Sequence, residues 1–133
     1  MEPGSELDAR VAEEFMGLKA EWNTETLCPH CGLMMRYCGS RSRCTQCGEW
    51  RYGPYKEYST DSSAAHEILN LLSHKGWSYT IYSSPGGPWL ITIQRIPVVD
   101  GCLMLMDRVK LYAESRESLA HAICLVALKA VGE

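Results

Sequence analysis

The sequence predicts an α+β fold, with a small antiparallel sheet covered by helices and joined to a cysteine-rich hairpin module. Three observations lead there. Apolar residues recur at helical spacing near both ends and in the middle of the 133-residue chain. Two runs rich in aromatic and β-branched residues lie between the second and third helical patterns. Five of the seven cysteines fall within residues 28–48, CPHCGLMMRYCGSRSRCTQCG.

Taken in order, Leu7, Val11, Phe15, Leu18 and Trp22 share one face of an expected first helix. The cysteine segment follows at about residues 26–53, with LMMRYC and EWRYG expected as strands. In GPYKEYSTDSSAAHEILNLLSHKGW, the side-chain oxygen of Ser59, Thr60 or Asp61 caps a second helix. Ala65, Ile68, Leu69 and Leu72 form its buried stripe, and Gly76 ends it. WSYTIYS and WLITIQR, joined by SPGGP, read as an antiparallel hairpin. CLMLM and VKLYA are expected as two more strands. A final helix, SRESLAHAICLVALKAVGE, takes Ser115 as its expected cap; Leu119, Ile123, Val126, Ala127 and Ala130 form its buried stripe. Tyr79, Tyr82 and Trp89 are expected to pack beneath the helices, with an exposed surface for bases as the alternative.

The cysteines form two C-x-x-C pairs, Cys28/Cys31 and Cys44/Cys47, separated by twelve residues and each followed by glycine, Gly32 and Gly48. Zn²⁺ takes four soft ligands at tetrahedral corners, and a C-x-x-C turn supplies two sulfurs to one side. The glycine lets the backbone turn sharply so that amides can face the thiolates. The pattern resembles a zinc ribbon holding one structural Zn²⁺. Cys38 stands as an alternative ligand, and His30, inside a knuckle, as a minor one. Four cysteines leave no open coordination position, which argues for a structural metal. In a reducing compartment, metal binding is also the better use of an odd number of cysteines than disulfides.

Charge is unevenly spread around the overall net of −3. Residues 26–56 carry Arg36, Arg41, Arg43, Arg51 and Lys56 against Glu49, a local net of +4. Four thiolates on one Zn²⁺ would lower that by about two charges. Arg36, Tyr37, Arg41, Arg43 and Arg51 are therefore the candidate anion or nucleic-acid contacts, Arg41 and Arg43 being placed at the hairpin tip GSRSR. A solvated tip is the plainer reading of the same residues. The chain as a whole is not basic enough for a general nucleic-acid binder.

LDARVAEEFMGLK, PYKEYSTDSSAAHEILNLLSHKGW and AHAICLVALKAVGE together resemble the phage ABA sandwich domain, an α-β-α element of small bacteriophage and prophage proteins. The resemblance implies an α-β-α sandwich built discontinuously from residues 1–25 and 54–133, with residues 26–53 inserted as the zinc ribbon. It implies a phage origin, residence in the host bacterial cytoplasm and no established activity, and it carries no catalytic residues. The sequence departs from the family at the ribbon and at RIPVVDGCLMLMDRV, expected as an extended strand region.

No catalytic constellation is legible. His66-Glu67 opens like H-E-x-x-H, but Asn70 occupies the next ligand position. No phosphate loop or nucleophile elbow is present. His66, His74 and His121 read as boundary or surface residues. His121 and Cys124 share a helix face, so a Cys/His dyad is an alternative to simple burial of Cys124. Cys102 is likewise expected to be buried, and Met104 and Met106 to lie in the core or an oligomer interface. No run is long and apolar enough for a membrane span. The expectation is a non-enzymatic accessory protein that engages a host protein or a nucleic-acid complex. A sponge for an anionic nucleotide signal and a small nuclease or hydrolase are the alternatives, and a homodimer is compatible with the methionine run.

Overall fold

The computed structural model describes residues 1–19, 35–38, 41–44, 46–48, 50–52 and 55–132. The first element, α1 (Ser5–Arg10), continues as a π-helical turn over Val11–Phe15. Leu7, Val11 and Phe15 are buried as expected. The helix stops earlier than the periodicity suggests. Gly17 takes φ +71°, and the Leu18 N–H returns to the Ala12 carbonyl at 2.8 Å. That bond reaches back six residues, one more than the usual closure of an α-helix, as suits an end that is π-helical. Leu18 is thereby turned out, 45% exposed, and leaves the stripe. Trp22 lies outside the described residues.

β1 (Met35–Cys38), β2 (Arg41–Cys44) and β3 (Trp50–Tyr52) form a three-stranded antiparallel sheet in that order. LMMRYC and EWRYG thus each contain a strand. RSRC is itself β2, so Arg41 and Arg43 sit on a strand and not on a loop tip.

Helix α2 (Ser62–His74) is capped by Asp61, whose carboxylate accepts the Ser63 N–H at 2.9 Å. Ala64, Ala65, Ile68, Leu69 and Leu72 are its buried residues, and Gly76 at φ +90° lets Trp77 N–H reach back to the Leu72 carbonyl. β4 (Ser78–Ser83), β5 (Trp89–Arg95) and, after an excursion, β8 (Val109–Ser115) form a second antiparallel sheet, order β4-β5-β8. The expected hairpin is present. Ile81, Ile91 and Ala113 align across the strands, as do Ile93 and Leu111, and this face meets the core.

Helix α3 (Leu119–Val131) is the centre of the molecule. β5 and β8 pack on it, and so do α1, the π turn and α2. Ala120, Ala122, Ile123, Cys124, Val126, Ala127 and Ala130 are all buried, which is what a helix apolar on most sides requires. Ser118, not Ser115, caps it, accepting the His121 N–H at 3.1 Å. The reason is that β8 runs through Ser115, so the helix can start only after the turn that follows.

The three helices share one core on one side of the β4-β5-β8 sheet. On the other face Thr80, Tyr82, Tyr112 and Glu114 are exposed. The expectation that Tyr79, Tyr82 and Trp89 pack beneath the helices is corrected for Tyr82 and holds only in part for the other two. Tyr82 alternates to the face away from Ile81 and is 57% exposed. Tyr79 and Trp89 stand on the same face as Ile91 and Ile93, at the edge strand and the sheet end, where they are only partly covered, 43% and 36% exposed.

The stretch between β5 and β8 also differs from expectation. It is a small arm: β6 (Val98–Val99) pairs with β7 (Cys102–Leu103), and Leu105–Asp107 is a 3₁₀ turn. Asp100 (φ 52°) and Gly101 (φ 79°) form its two-residue turn, both in the left-handed region that a primed hairpin turn demands. CLMLM is thus strand for only two residues. Val98, Val99, Cys102, Leu103, Met104, Leu105 and Met106 are exposed, Met106 by 97%, so neither Cys102 nor the methionines belong to the core. Among the described residues no helix is long and apolar enough to cross a membrane.

A buried carboxylate ties the helix ends together. Asp8 accepts from the Ser59 N–H at 2.8 Å and from the Ser59 Oγ–H at 2.7 Å, while Gly4 N–H donates to Ser59 Oγ at 2.9 Å. Replacing Asp8 by alanine leaves two donors without their acceptor in a buried place. Urea unfolding of Asp8→Ala is expected to show a loss of about 1–3 kcal/mol, more than an exposed-site substitution such as Glu13→Ala.

Candidate functional site

The described half of the cysteine module is a tight turn at the end of β2. Cys44 is 1% exposed, Cys47 is exposed, and the Cys47 N–H points at Cys44 Sγ at 3.5 Å. The Gly48 N–H closes the turn on the Cys44 carbonyl at 3.1 Å, and Gly48 takes φ +70°. A side chain is strained at that φ, so glycine follows the second cysteine for a steric reason. An amide directed at a sulfur favours its thiolate form, the form that binds metal. Cys28, Cys31 and His30 lie outside the described residues. Among the described residues no three metal-ligating side chains gather.

Strand register sorts the remaining candidates. Arg36, Arg43 and Trp50 form one cross-strand row, and Cys38, Arg41 and Tyr52 the next. Strand residues two apart share a face, so these two rows lie on one face. Met35, Tyr37, Ser42, Cys44 and Arg51 belong to the other, where Ser42 and Cys44 are buried. Two consequences follow. Cys38 and Cys44 occupy opposite faces, which separates Cys38 from the Cys44 side of the sheet. And Arg36, Arg41 and Arg43 are brought together, whereas Tyr37 and Arg51 are not with them. Trp50 and Tyr52, which the sequence reading passed over, join the arginines. Their signal was present as the alternation of WRY, but it has no meaning until the register with β2 is known.

Among the described residues the histidines do not assemble a catalytic pair. His66 and His74 are exposed, and His66 Nδ1 contacts only its own helix, the Ser62 carbonyl at 2.6 Å. His121 is buried, contrary to expectation. Its Nε2 is 2.7 Å from the Met1 carbonyl, which can only accept, so Nε2 carries hydrogen. Its Nδ1 is then left to accept the Ser115 Oγ–H at 2.7 Å. Ser115 Oγ in turn accepts the N–H groups of Glu117 at 3.0 Å and Ser118 at 3.3 Å. Both lone pairs of the hydroxyl are thus occupied by backbone, and the pair serves the turn between β8 and α3. Burial explains the sequence reading's error: the residues that enclose His121, Met1 and Ser115, are distant or out of helical phase in the chain.

Cys124 is fully buried, and its thiol is pushed up to about 12, first by burial and then by the nearby Asp8 carboxylate. It stays protonated and is no nucleophile. The open sheet face carries a shallow depression of about 260 Å³ lined by Tyr82, Ser83, Ser84, Pro88, Leu90 and Glu114. It presents a carboxylate and no base, which disfavours an anionic guest there. Comparison with protein-family models, with curated proteins and with solved structures finds no match to this chain.

Iodoacetamide labelling read by peptide mass spectrometry tests the thiol assignments. At pH 8, exposed Cys102 should label readily and Cys124 only after unfolding. Because the folded thiol is raised above its ordinary value of 9.0 to about 12, its contribution to stability is intact below about pH 9. It should be lost as pH climbs from about 9 to about 12.

Proposed function

We propose that the cysteine-rich segment is a zinc ribbon holding one structural Zn²⁺ on Cys28, Cys31, Cys44 and Cys47, inserted into a helical α+β domain of the phage ABA sandwich type, and that the protein is a non-enzymatic binding module. The observation that carries this reading is the Cys44–Gly48 turn, with its amide directed at a buried sulfur and its left-handed glycine. Register adds support. Met35 pairs with Cys44, so the chain entering β1 arrives at the end of the sheet where the turn lies. Cys31 is four residues before Met35, a reach of at most ~14 Å. The metal would supply cross-linking and no chemistry at substrate.

The energetic need is also clear. β1, β2 and β3 hold four, four and three residues, too few to bury a core of their own. Structural zinc contributes about 10–16 kcal/mol to modules of this kind, enough to fold one. The binding role draws support from the arm. Soluble monomers rarely leave so continuous an apolar run uncovered, and Val98 to Met106 does so.

Native mass spectrometry of protein purified without added metal should find one zinc per chain. The double variant Cys44→Ser/Cys47→Ser should lose it while keeping the helical far-ultraviolet signal of the α1–α3 core. Gly48→Ala should keep the metal but weaken it, since forcing a side chain to φ +70° costs about 1–2 kcal/mol, roughly tenfold in zinc affinity. Full helicity with no zinc in the parent protein would refute the proposal.

A further inference from the structure

The two edges of the β4-β5-β8 sheet are built differently. Among the described residues β4 and β8 each pair only with β5, so each keeps one row of backbone N–H and C=O groups that no strand uses. The β8 edge is guarded. Lys129 of α3 donates to the Tyr112 carbonyl at 2.7 Å, and its ammonium lies 5.2 Å from the Tyr112 ring. Lys110 and Glu114 add charge on the same strand. The β4 edge has none of these devices. Its sequence, SYTIYS, holds no charge and no proline, and its six residues pair with β5 in unbroken register, without a bulge. Every residue of β4 is exposed except Ile81, which is half-buried. Lysine, proline and bulges are how sheets keep a bare edge from pairing, and an edge that lacks all three accepts another strand.

We propose that β4 is covered by β4 of a second copy of this chain, antiparallel about a two-fold axis, giving one sheet in the order β8-β5-β4-β4-β5-β8. The strand is complementary to itself. A two-fold axis through an antiparallel pair keeps each face of the sheet on its own side. With Thr80 opposite Thr80 of the second copy, Tyr79 therefore stands beside Ile81 of the second copy, and Ile81 beside its Tyr79. Both residues belong to the core face, where Tyr79 is left 43% exposed by its own helices. Pairing carries the apolar row across the axis and covers that open part of Tyr79. Ser78, Thr80 and Tyr82 meet one another on the open face. Charge permits the contact too. The Lys75–Gly76 end of β4 comes beside the second copy's SPGGP turn, which is uncharged, so no like charges meet. A foreign extended segment could satisfy the same backbone groups, but the match of both faces about a two-fold axis favours a second copy. The contact uses nothing from the cysteine module and is independent of the ribbon reading.

The test is sedimentation equilibrium of the full chain from about 10 μM to about 1 mM, the range in which a short, small interface associates. The parent should pass from monomer to dimer and no further, since each copy has one open edge. Thr80→Lys/Tyr82→Lys places exposed lysines at the edge and should raise the dimer dissociation constant by tenfold or more. Thr80→Val, of similar size and uncharged, should stay dimeric. Leu103→Lys in the arm and Tyr112→Lys on the open face beside the β8 edge should dimerise like the parent. Hydrogen exchange of the peptide covering residues 78–83 should slow as the concentration of the parent rises, and not in the double lysine variant. A parent that stays monomeric throughout, its edge open to some other extended chain, would overturn the inference. So would a dimer that the double lysine variant leaves intact. Loss of the dimer on Leu103→Lys would assign the contact to the arm, and loss on Tyr112→Lys to the open face; either would overturn it.

Discussion

The carboxylate of Asp8 holds α1 to the segment that leads into α2. It accepts two hydrogen bonds from Ser59, fifty-one residues later in the chain. Ser59 also accepts from Gly4 N–H, and its carbonyl accepts the Ser118 hydroxyl at 3.5 Å, so three helix starts meet at one buried point. Long-range closure of this kind carries a chain-entropy cost that grows only slowly with the length closed. The long stretch between the π turn and α2 therefore adds only modestly to the cost of this closure. With α1 docked on α3, Leu7, Val11 and Phe15 complete the core that Ile68, Leu72, Ile91 and Ile123 begin.

Most helices and the main sheet were legible because their patterns are local. Ala65, Ile68, Leu69 and Leu72 repeat at helical spacing, and the hairpin strands flank an unmistakable turn. What the pattern missed has physical causes. Leu18 continues the periodicity of α1, but Gly17 reverses the chain before it. Ser115 resembles a cap until β8 claims it, leaving Ser118 for the role. VVDGCLMLM reads as buried strand because it is apolar; only the Asp100-Gly101 turn shows that it folds on itself and leaves the core. His121 reads as surface because its partners, Met1 and Ser115, come from outside its helix.

The cysteine module divides similarly. Paired motifs and matched glycines were legible, since a tight turn with φ +70° at Gly48 is a local requirement. Which arginines act together was not, since that depends on pairing between strands. A shift of one residue in register would have put Arg43 on the buried face and Cys44 outside. The observed register instead puts sulfur inward and guanidinium outward on β2. One strand thus carries the buried Ser42 and Cys44 on one face and the exposed Arg41 and Arg43 on the other.

The central claim is that two cysteine pairs close on one metal ion. Zinc K-edge X-ray absorption on the purified protein tests it most directly. The account predicts a first shell of four sulfurs at about 2.3 Å and no nitrogen or oxygen. A shell containing nitrogen at about 2.0 Å would bring in a histidine and contradict the four-cysteine assignment, and a shell of oxygens alone would contradict the ribbon.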